Sequence, residues 1–324
     1  MILRLTAVFV VLWALPVLAA TSFESWLIGQ INPTVFWFMD ETSGTTLTNS
    51  GAGGAGYNLG TINTPTLNQA GVNAARGVSI NWASASTEYA EVNKNDTGTG
   101  PGDFGTDRSW SCWIKNTGAA TGTLVSVADS QAGGQVNRNG RMAVANSAGN
   151  KAFFQIYQNI GTTSYISVTG ATSMTDGVWY MITGTWATSG TTIKVYLNAT
   201  EDGTNSTTLG LIADATTWIA VGRQEGSADV YFNGNIQDCF MYTSLLSAAQ
   251  VSAIYNRGIL IAAQLEAWPF TVKRPELPRF RDDGYFAKAI NRGYVSGGFH
   301  PTVMHARAFG PYLPLAVVPN GKGR

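Results

Sequence analysis

The stretch from Asp229 to Gly258, DVYFNGNIQDCFMYTSLLSAAQVSAIYNRG, constrains this chain more than any other. Tyr231 to Tyr242 is rich in β-branched and aromatic residues and predicts a strand interrupted by a turn at Asn233-Gly234. A helix follows by rule. Ser247 is placed to cap it and Gln250, three residues on, to complete a capping box, while Leu246 and Val251 hold the two positions of a hydrophobic staple. Ile254 and Tyr255 continue the apolar face at helical spacing, and Gly258 stands where a left-handed C-terminal residue is expected. The segment therefore predicts a strand, a corner and a short helix near 248–257 folded back on the strand.

A glycine, an Ile-x-Asp strand and Leu-Ser-Ala-Ala-Gln before a short helix resemble the closing signature of laminin-G-like jelly rolls, the concanavalin-A-like lectin and glucanase sandwiches. The opening signature of that family resembles Phe36-Trp37-Phe38-Met39-Asp40-Glu41-Thr42-Ser43-Gly44 followed by Asn49-Ser50-Gly51. Between them, Ser109 to Lys115, Asp176 to Trp186 and Thr192 to Asn198 are similar to the three inner strands, in the expected order. The resemblance covers residues 24–258 and implies an all-β fold, a two-sheet antiparallel jelly-roll sandwich.

Met1 to Ala20 carries Arg4, an apolar run from Leu5 to Leu18, and Ala19-Ala20, the pattern of a secretory signal peptide. The run is shorter than the ~20 residues of a spanning helix. The expected organisation is a signal peptide at 1–20, a jelly-roll domain at 21–258 and a C-terminal arm at 259–324. The expected location is secreted, in the extracellular space or on a cell or virion surface, with no membrane span after cleavage.

Charged residues make up only 12% of the chain, and Gly, Ser, Thr and Asn are abundant, as in a β-protein with many turns. From Thr21 to Gly258 acids outnumber Lys and Arg, and from Ile259 onward the reverse holds. The first part lacks the clustered basic residues of a nucleic-acid face. Phe23, Trp26 and Leu27 lie at helical spacing in a lead-in, Ser22 to Gln30, expected to plug one end of the sandwich. Residues 49–74 read as a long Gly- and Asn-rich loop.

Trp110, Trp113, Phe153, Phe154, Ile156, Tyr157, Trp179, Ile182, Trp186, Ile193, Val195 and Leu197 lie on alternating runs and are expected in the core, as is Ile80 with Tyr89 and Val92. Trp82 and Tyr57 lie on looser stretches and are the candidates for an exposed ligand-stacking platform.

Retaining glucanases need two carboxylates facing one cleft about 5–5.5 Å apart. Glu88 and Glu91, spaced by three, point to opposite faces of a strand, and both histidines, His300 and His305, fall in the arm. No catalytic residue is assigned, and a non-enzymatic reading is expected over a glycoside hydrolase. The resemblance implies a structural calcium ion shared by the two ends of the domain, with Glu41 and Asp238 in matching acidic positions and Asp40 and Asn49 beside them. Asn49 stands where the family usually has Asp, which lowers the affinity so implied. The alternative is that Glu41 and Asp238 satisfy turn amides and neighbouring hydroxyls.

Cys112 and Cys239 are the only cysteines, and a secreted chain permits a disulfide between them. Buried free thiols are the competing reading. The arm combines many prolines with Trp268, Phe270, Phe280, Tyr285, Phe286 and further aromatics, which points to an assembly or partner contact. The expected function is a secreted carbohydrate- or surface-binding module whose partner is a glycan or surface polysaccharide. The alternative is a structural subunit of a virion appendage or extracellular fibre in which the arm mediates assembly.

Overall fold

Two faces of one strand explain the architecture. In β7 (Arg108–Asn116) Trp110, Cys112 and Ile114 join the core between two sheets, whereas Trp113 joins a second apolar cluster on the far side of its own sheet. A strand covered on both faces loses the polar-out half of its alternation, and β7 is buried at eight of its nine positions. The computed structural model describes residues 22–96, 100–118, 122–128, 138–145, 149–157, 165–206, 216–224 and 230–266. The signal-peptide reading of residues 1–20 and the arm beyond residue 266 lie outside them.

The strands in chain order are β1 (Val35–Trp37), β2 (Thr46–Leu47), β3 (Leu59–Ile62), β4 (Thr66–Ala70), β5 (Val78–Trp82), β6 (Tyr89–Asp96), β7, β8 (Gly122–Ala128), β9 (Arg138–Ala145), β10 (Lys151–Tyr157), β11 (Tyr165–Ser173), β12 (Trp179–Ala187), β13 (Thr192–Leu197), β14 (Thr200–Ser206), β15 (Thr216–Val221) and β16 (Gly234–Tyr242). They form two antiparallel eight-stranded sheets. The first runs β14-β13-β12-β7-β16-β5-β4, with β1 also on β16; the second runs β11-β10-β9-β8-β15-β6-β3-β2. This is the jelly-roll sandwich that the sequence predicts. The apolar faces of the two sheets meet in one core containing Trp37, Trp82, Trp110, Phe154 and Trp186.

The opening and closing signatures pair directly. Val35, Phe36 and Trp37 of β1 oppose Met241, Phe240 and Cys239 of β16, while Gly234 to Ile236 of the same edge oppose β5. Asp238 sits between these two pairings, with φ of 50° and a register shift against β7 on the other edge. Such a bulge turns adjacent side chains to opposite faces. Cys239 points into the core and is joined to Cys112, and Asp238 points outward. No hairpin turn forms at Asn233-Gly234. Gly234 instead begins β16, because its backbone is pinned between β5 and β7.

Two helices cover the outer face of the first sheet. α1 (Phe23–Ile31) is capped by the Ser22 hydroxyl, which accepts from Ser25 N at 3.1 Å. α2 (Ala248–Glu266) starts at the expected capping box: Gln250 N donates to Ser247 Oγ (3.2 Å) and Ser247 N to Gln250 Oε1 (2.9 Å). Phe23, Leu27 and Ile31 of α1 and Val251 and Ile254 of α2 pack with Phe36, Trp113 and Phe240 of the sheet. The lead-in helix thus covers a sheet face and does not plug an end of the sandwich.

Gly258 does not terminate α2. The helix continues to Glu266, and a Cβ at 258 would lie 2.6 Å from the Trp113 ring and 2.7 Å from Arg76 Nη1. Its lack of a side chain serves close helix-to-sheet packing. Residues 49–74, read as a loop, contain β3, β4 and a turn of 3₁₀ helix at Gly54–Tyr57. β4 has no fully buried side chain; ladder bonds to β5 and the contact of Leu67 with the core hold it, and one apolar residue leaves no hydrophobic period in the sequence.

Candidate functional site

Tyr57 and Trp82 do not form a platform. Trp82 is fully buried and Tyr57 is 6% exposed, both in the intersheet core. β5, with Trp82 registered against Gly234 of β16, places Trp82 inward, and the 3₁₀ turn at Gly54–Tyr57 buries Tyr57, whose carbonyl accepts from Trp37 Nε1 at 2.8 Å. Local looseness in a sequence does not report which face a long-range pairing will cover.

The four residues considered for calcium are each engaged differently. Glu41 Oε1 accepts from Thr48 N at 2.8 Å, and burial raises its pKa above the usual carboxylate range. Asp40, also raised by burial and by the nearby Glu24 carboxylate, lines a recess of about 490 Å³ at the foot of α1 with Glu24 and Ser25. The Asn49 side chain is a backbone clamp: Oδ1 accepts from Phe36 N (2.7 Å) and Gly51 N (3.0 Å), and Nδ2 donates to Gly54 O (2.9 Å). An Asp here has no donor for that carbonyl. The Asp238 carboxylate is ion-paired with Arg76 inside the fold. These residues are not gathered into one oxygen cage, and no group of three His, Cys, Asp or Glu side chains converges among the described residues.

Arg76 and Asp238 form the electrostatic centre of the helix-covered face. Their side chains are 0% and 1% exposed. The guanidinium lies 3.8 Å over Phe23 and 5.1 Å from the Trp113 ring, and Trp113 in turn stacks on Tyr255 of α2. Burial pushes the Arg76 pKa down to about 9, opposed by the Glu24 carboxylate, and Asp238 is its ion-pair partner. This cluster ties the α1 and α2 helices to the sheet. Asp238 lies between the buried Gln237 and Cys239, but Arg76 is flanked by exposed Ala75 and Gly77, so nothing local in the sequence marks the pair.

The outer face of the second sheet is different, since neither helix joins it. The side chains of Ala152, Phe154 and Ile156 enter the core, so Phe153, Gln155 and Tyr157 of β10 share the opposite face. On β11, Ile166 and Val168 point inward and Tyr165, Ser167 and Thr169 outward. Registration places Tyr157 opposite Tyr165, Gln155 opposite Ser167 and Phe153 opposite Thr169. Tyr165 is 50% exposed and meets the Tyr157 ring at 5.7 Å and 60°, making an upright wall beside it. The Tyr157 hydroxyl donates back to Gln155 Oε1 (3.2 Å), which lays its ring along its own strand over a buried amide.

That amide belongs to a rigid polar network. Arg141 of β9 donates from Nε to Gln155 Oε1 (2.8 Å) and from Nη1 to Gln224 Oε1 (2.7 Å), with its guanidinium 4.9 Å from the Phe153 ring. Further across the sheet, Ser126 Oγ donates to Arg223 O (2.8 Å), so the chain at Arg223 and Gln224 crosses over β8. Beyond it Arg223 pairs with Glu91 (3.3 Å) and lies over Tyr89. Glu88 is turned away from this face and accepts from Ala83 N at 2.7 Å. Phe153 and Tyr157, expected in the core, are thus half-buried members of the outer face. The signal available in the sequence was the polar Gln155 sharing their parity.

Planar aromatic rings beside fixed amide and guanidinium donors can stack on apolar ring faces and bond hydroxyls. Among the described residues no helix is long and apolar enough to cross a membrane.

The comparisons follow from this architecture. Similar solved structures include the binding domain of botulinum neurotoxin DC in complex with SialylT (15% identity, TM-score 0.50, covering 69% of this chain and 51% of that one). They include the same binding domain in complex with rat synaptotagmin II (14%, TM-score 0.50, 69% and 51%) and the botulinum neurotoxin serotype C1 binding domain (14%, TM-score 0.50, 69% and 52%). At these identities the likeness is one of fold, and this chain spans about half the length of those structures. No match is found among the curated proteins. The family model described as the concanavalin A-like lectin/glucanases superfamily matches residues 83–252, just over half of the chain. With two antiparallel sheets packed face to face and both end signatures joined in one strand pair, the chain belongs to the concanavalin A-like lectin/glucanases superfamily.

Proposed function

We propose that this chain is an exported binding module without catalytic activity, and that it takes a glycan on the outer face of the second sheet at β10 and β11. The observation that carries this reading is the corner formed by Tyr157 and Tyr165 beside the Gln155–Arg141–Gln224 network. A pyranose offers an apolar ring face to the first and hydroxyls to the second, and the rings give contact area at low entropic cost. The solved neighbours include binding domains in complex with SialylT and with a protein, and this chain matches about half of each. The mixture of rings and planar polar groups favours the glycan here.

Binding without hydrolysis is supported by the carboxylate inventory of the face. Among its described residues Glu91 is the one carboxylate, and it is held by Arg223. A two-carboxylate mechanism needs a second acid opposite the first. A glycan array probed with the chain lacking residues 1–20 tests the reading. Retention of defined glycans, reduced about tenfold in affinity by Tyr165→Ala, is expected. Absence of glycan binding, or a Tyr165→Ala variant that binds as the parent does, counts against it. Release of new reducing ends from a bound oligosaccharide would refute the non-catalytic part.

A further inference from the structure

We infer that the ligand of this face is an extended oligosaccharide lying parallel to β10, and not a single terminal sugar or a chain crossing the strands. The inference rests on the glycan reading above and concerns which glycans the site accepts.

Direction comes from what is open and what is blocked. Across the sheet, the row that starts at Ser167 and Gln155 continues through Arg141 and Ser126 to Ala220 and Glu91. Ser126 and Ala220 are small enough to make a furrow, but they are 1% and 0% exposed, and the backbone at Arg223 is bonded over Ser126. The transverse path is closed at β8, the fourth strand, and the third, β9, is already occupied by the Arg141 side chain, which is bonded to Gln155 on one side and Gln224 on the other. On the other side β11 is the last strand of its sheet, and its edge is tied to the first sheet: Asn205 of β14 donates to Ser167 O (2.8 Å), and Asp202 accepts from Thr172 N (3.1 Å) and Oγ1 (2.6 Å). What remains is a strip two strands wide, roughly 10 Å from the spacing of neighbouring strands.

Length comes from the alternation along the strip. Phe153 and Tyr157 lie four residues apart on one face, about 13 Å at the strand rise, with Gln155 between them. Each faces an outward β11 residue carrying a hydroxyl, Thr169 at one end and Tyr165 at the other. Two aromatic positions separated by more than the width of one ring, each beside a hydroxyl, match a linear chain of equatorially linked pyranoses. Such a chain repeats apolar faces and lateral hydroxyls along its axis. A single sugar engages one end only.

Immobilised β-1,4-linked glucose and β-1,4-linked N-acetylglucosamine series, from the monosaccharide to the hexasaccharide, test this alongside a general array of branched and sialylated glycans. Affinity for at least one linear series should rise about tenfold or more between monosaccharide and tetrasaccharide and then level off, because further units lie beyond the two rings. Phe153→Ala should abolish the rise. Thr169→Arg, at an exposed position that adds bulk without touching the core, should do the same. A length-independent affinity, or binding confined to branched or terminal sugars of the general array, overturns the inference and leaves the glycan reading standing. Absence of binding to every glycan overturns both.

Discussion

Breaking the Arg76–Asp238 pair should be among the most costly single changes available in this domain. Both side chains are out of water, and the guanidinium is enclosed by Phe23, Trp113 and the backbone of Gly258. Asp238→Asn is the cleanest perturbation, because Asn tolerates the left-handed φ of 50° at this position and removes only the charge. It leaves a buried cation without its counterion, which costs about 3–5 kcal/mol. Arg76→Met keeps much of the volume against Phe23 and Trp113 and strands the carboxylate instead, with a cost of about 3–5 kcal/mol. The double variant strands neither charge. Its cost should therefore fall well below the sum of the two, giving a coupling of at least about 2 kcal/mol in a double-mutant cycle. Urea unfolding of the oxidised full chain, read by tryptophan fluorescence, measures all four corners. Additive losses, or an Asp238→Asn variant within about 0.5 kcal/mol of the parent, would refute the claim that this pair holds the helices to the sheet.

Further outcomes are expected at three other sites. Cys112→Ser with Cys239→Ser removes a cross-link between residues 127 apart and should cost about 5 kcal/mol by loop-closure entropy, seen as a lower urea midpoint that reductant does not shift further. Asn49→Asp should destabilise by about 1–3 kcal/mol, because the Gly54 carbonyl loses its donor and a charge is buried; a melting temperature equal to the parent's would contradict the clamp. For Glu41, burial puts the folded pKa above the unfolded value near 4.5, so the folded state binds the proton more tightly. That contribution is complete below the unfolded value and is lost as pH rises through the folded one. Glu41→Gln, which keeps the acceptor for Thr48 N, should flatten this part of the stability profile, and an unchanged profile between about pH 4 and 7 would exclude the assignment.

Some of this was legible along the chain. Alternation in β12 and β13 predicts strands, and the Ser247–Gln250 box predicts where α2 begins, because both depend on bonds and faces set within a few residues. The pairing of β1 with β16 was legible only as two matching end signatures. A period of two states that a strand has two faces; it does not state which is covered, or by what. Phe153 and Tyr157 look as apolar as Phe154, yet only Phe154 meets the opposite sheet, while Trp82 and Tyr57, on stretches without clear period, are pulled inside. Gly258 has the composition of a helix stop and serves as a contact, since Trp113 and Arg76 arrive from far along the chain. Asp238 likewise gives no local hint of its partner, since Arg76 stands more than a hundred residues earlier. The local sequence determined the elements and their order. The long-range pairing of strands, which no local propensity encodes, decided which rings became core, which charges found partners, and which face neither helix covered.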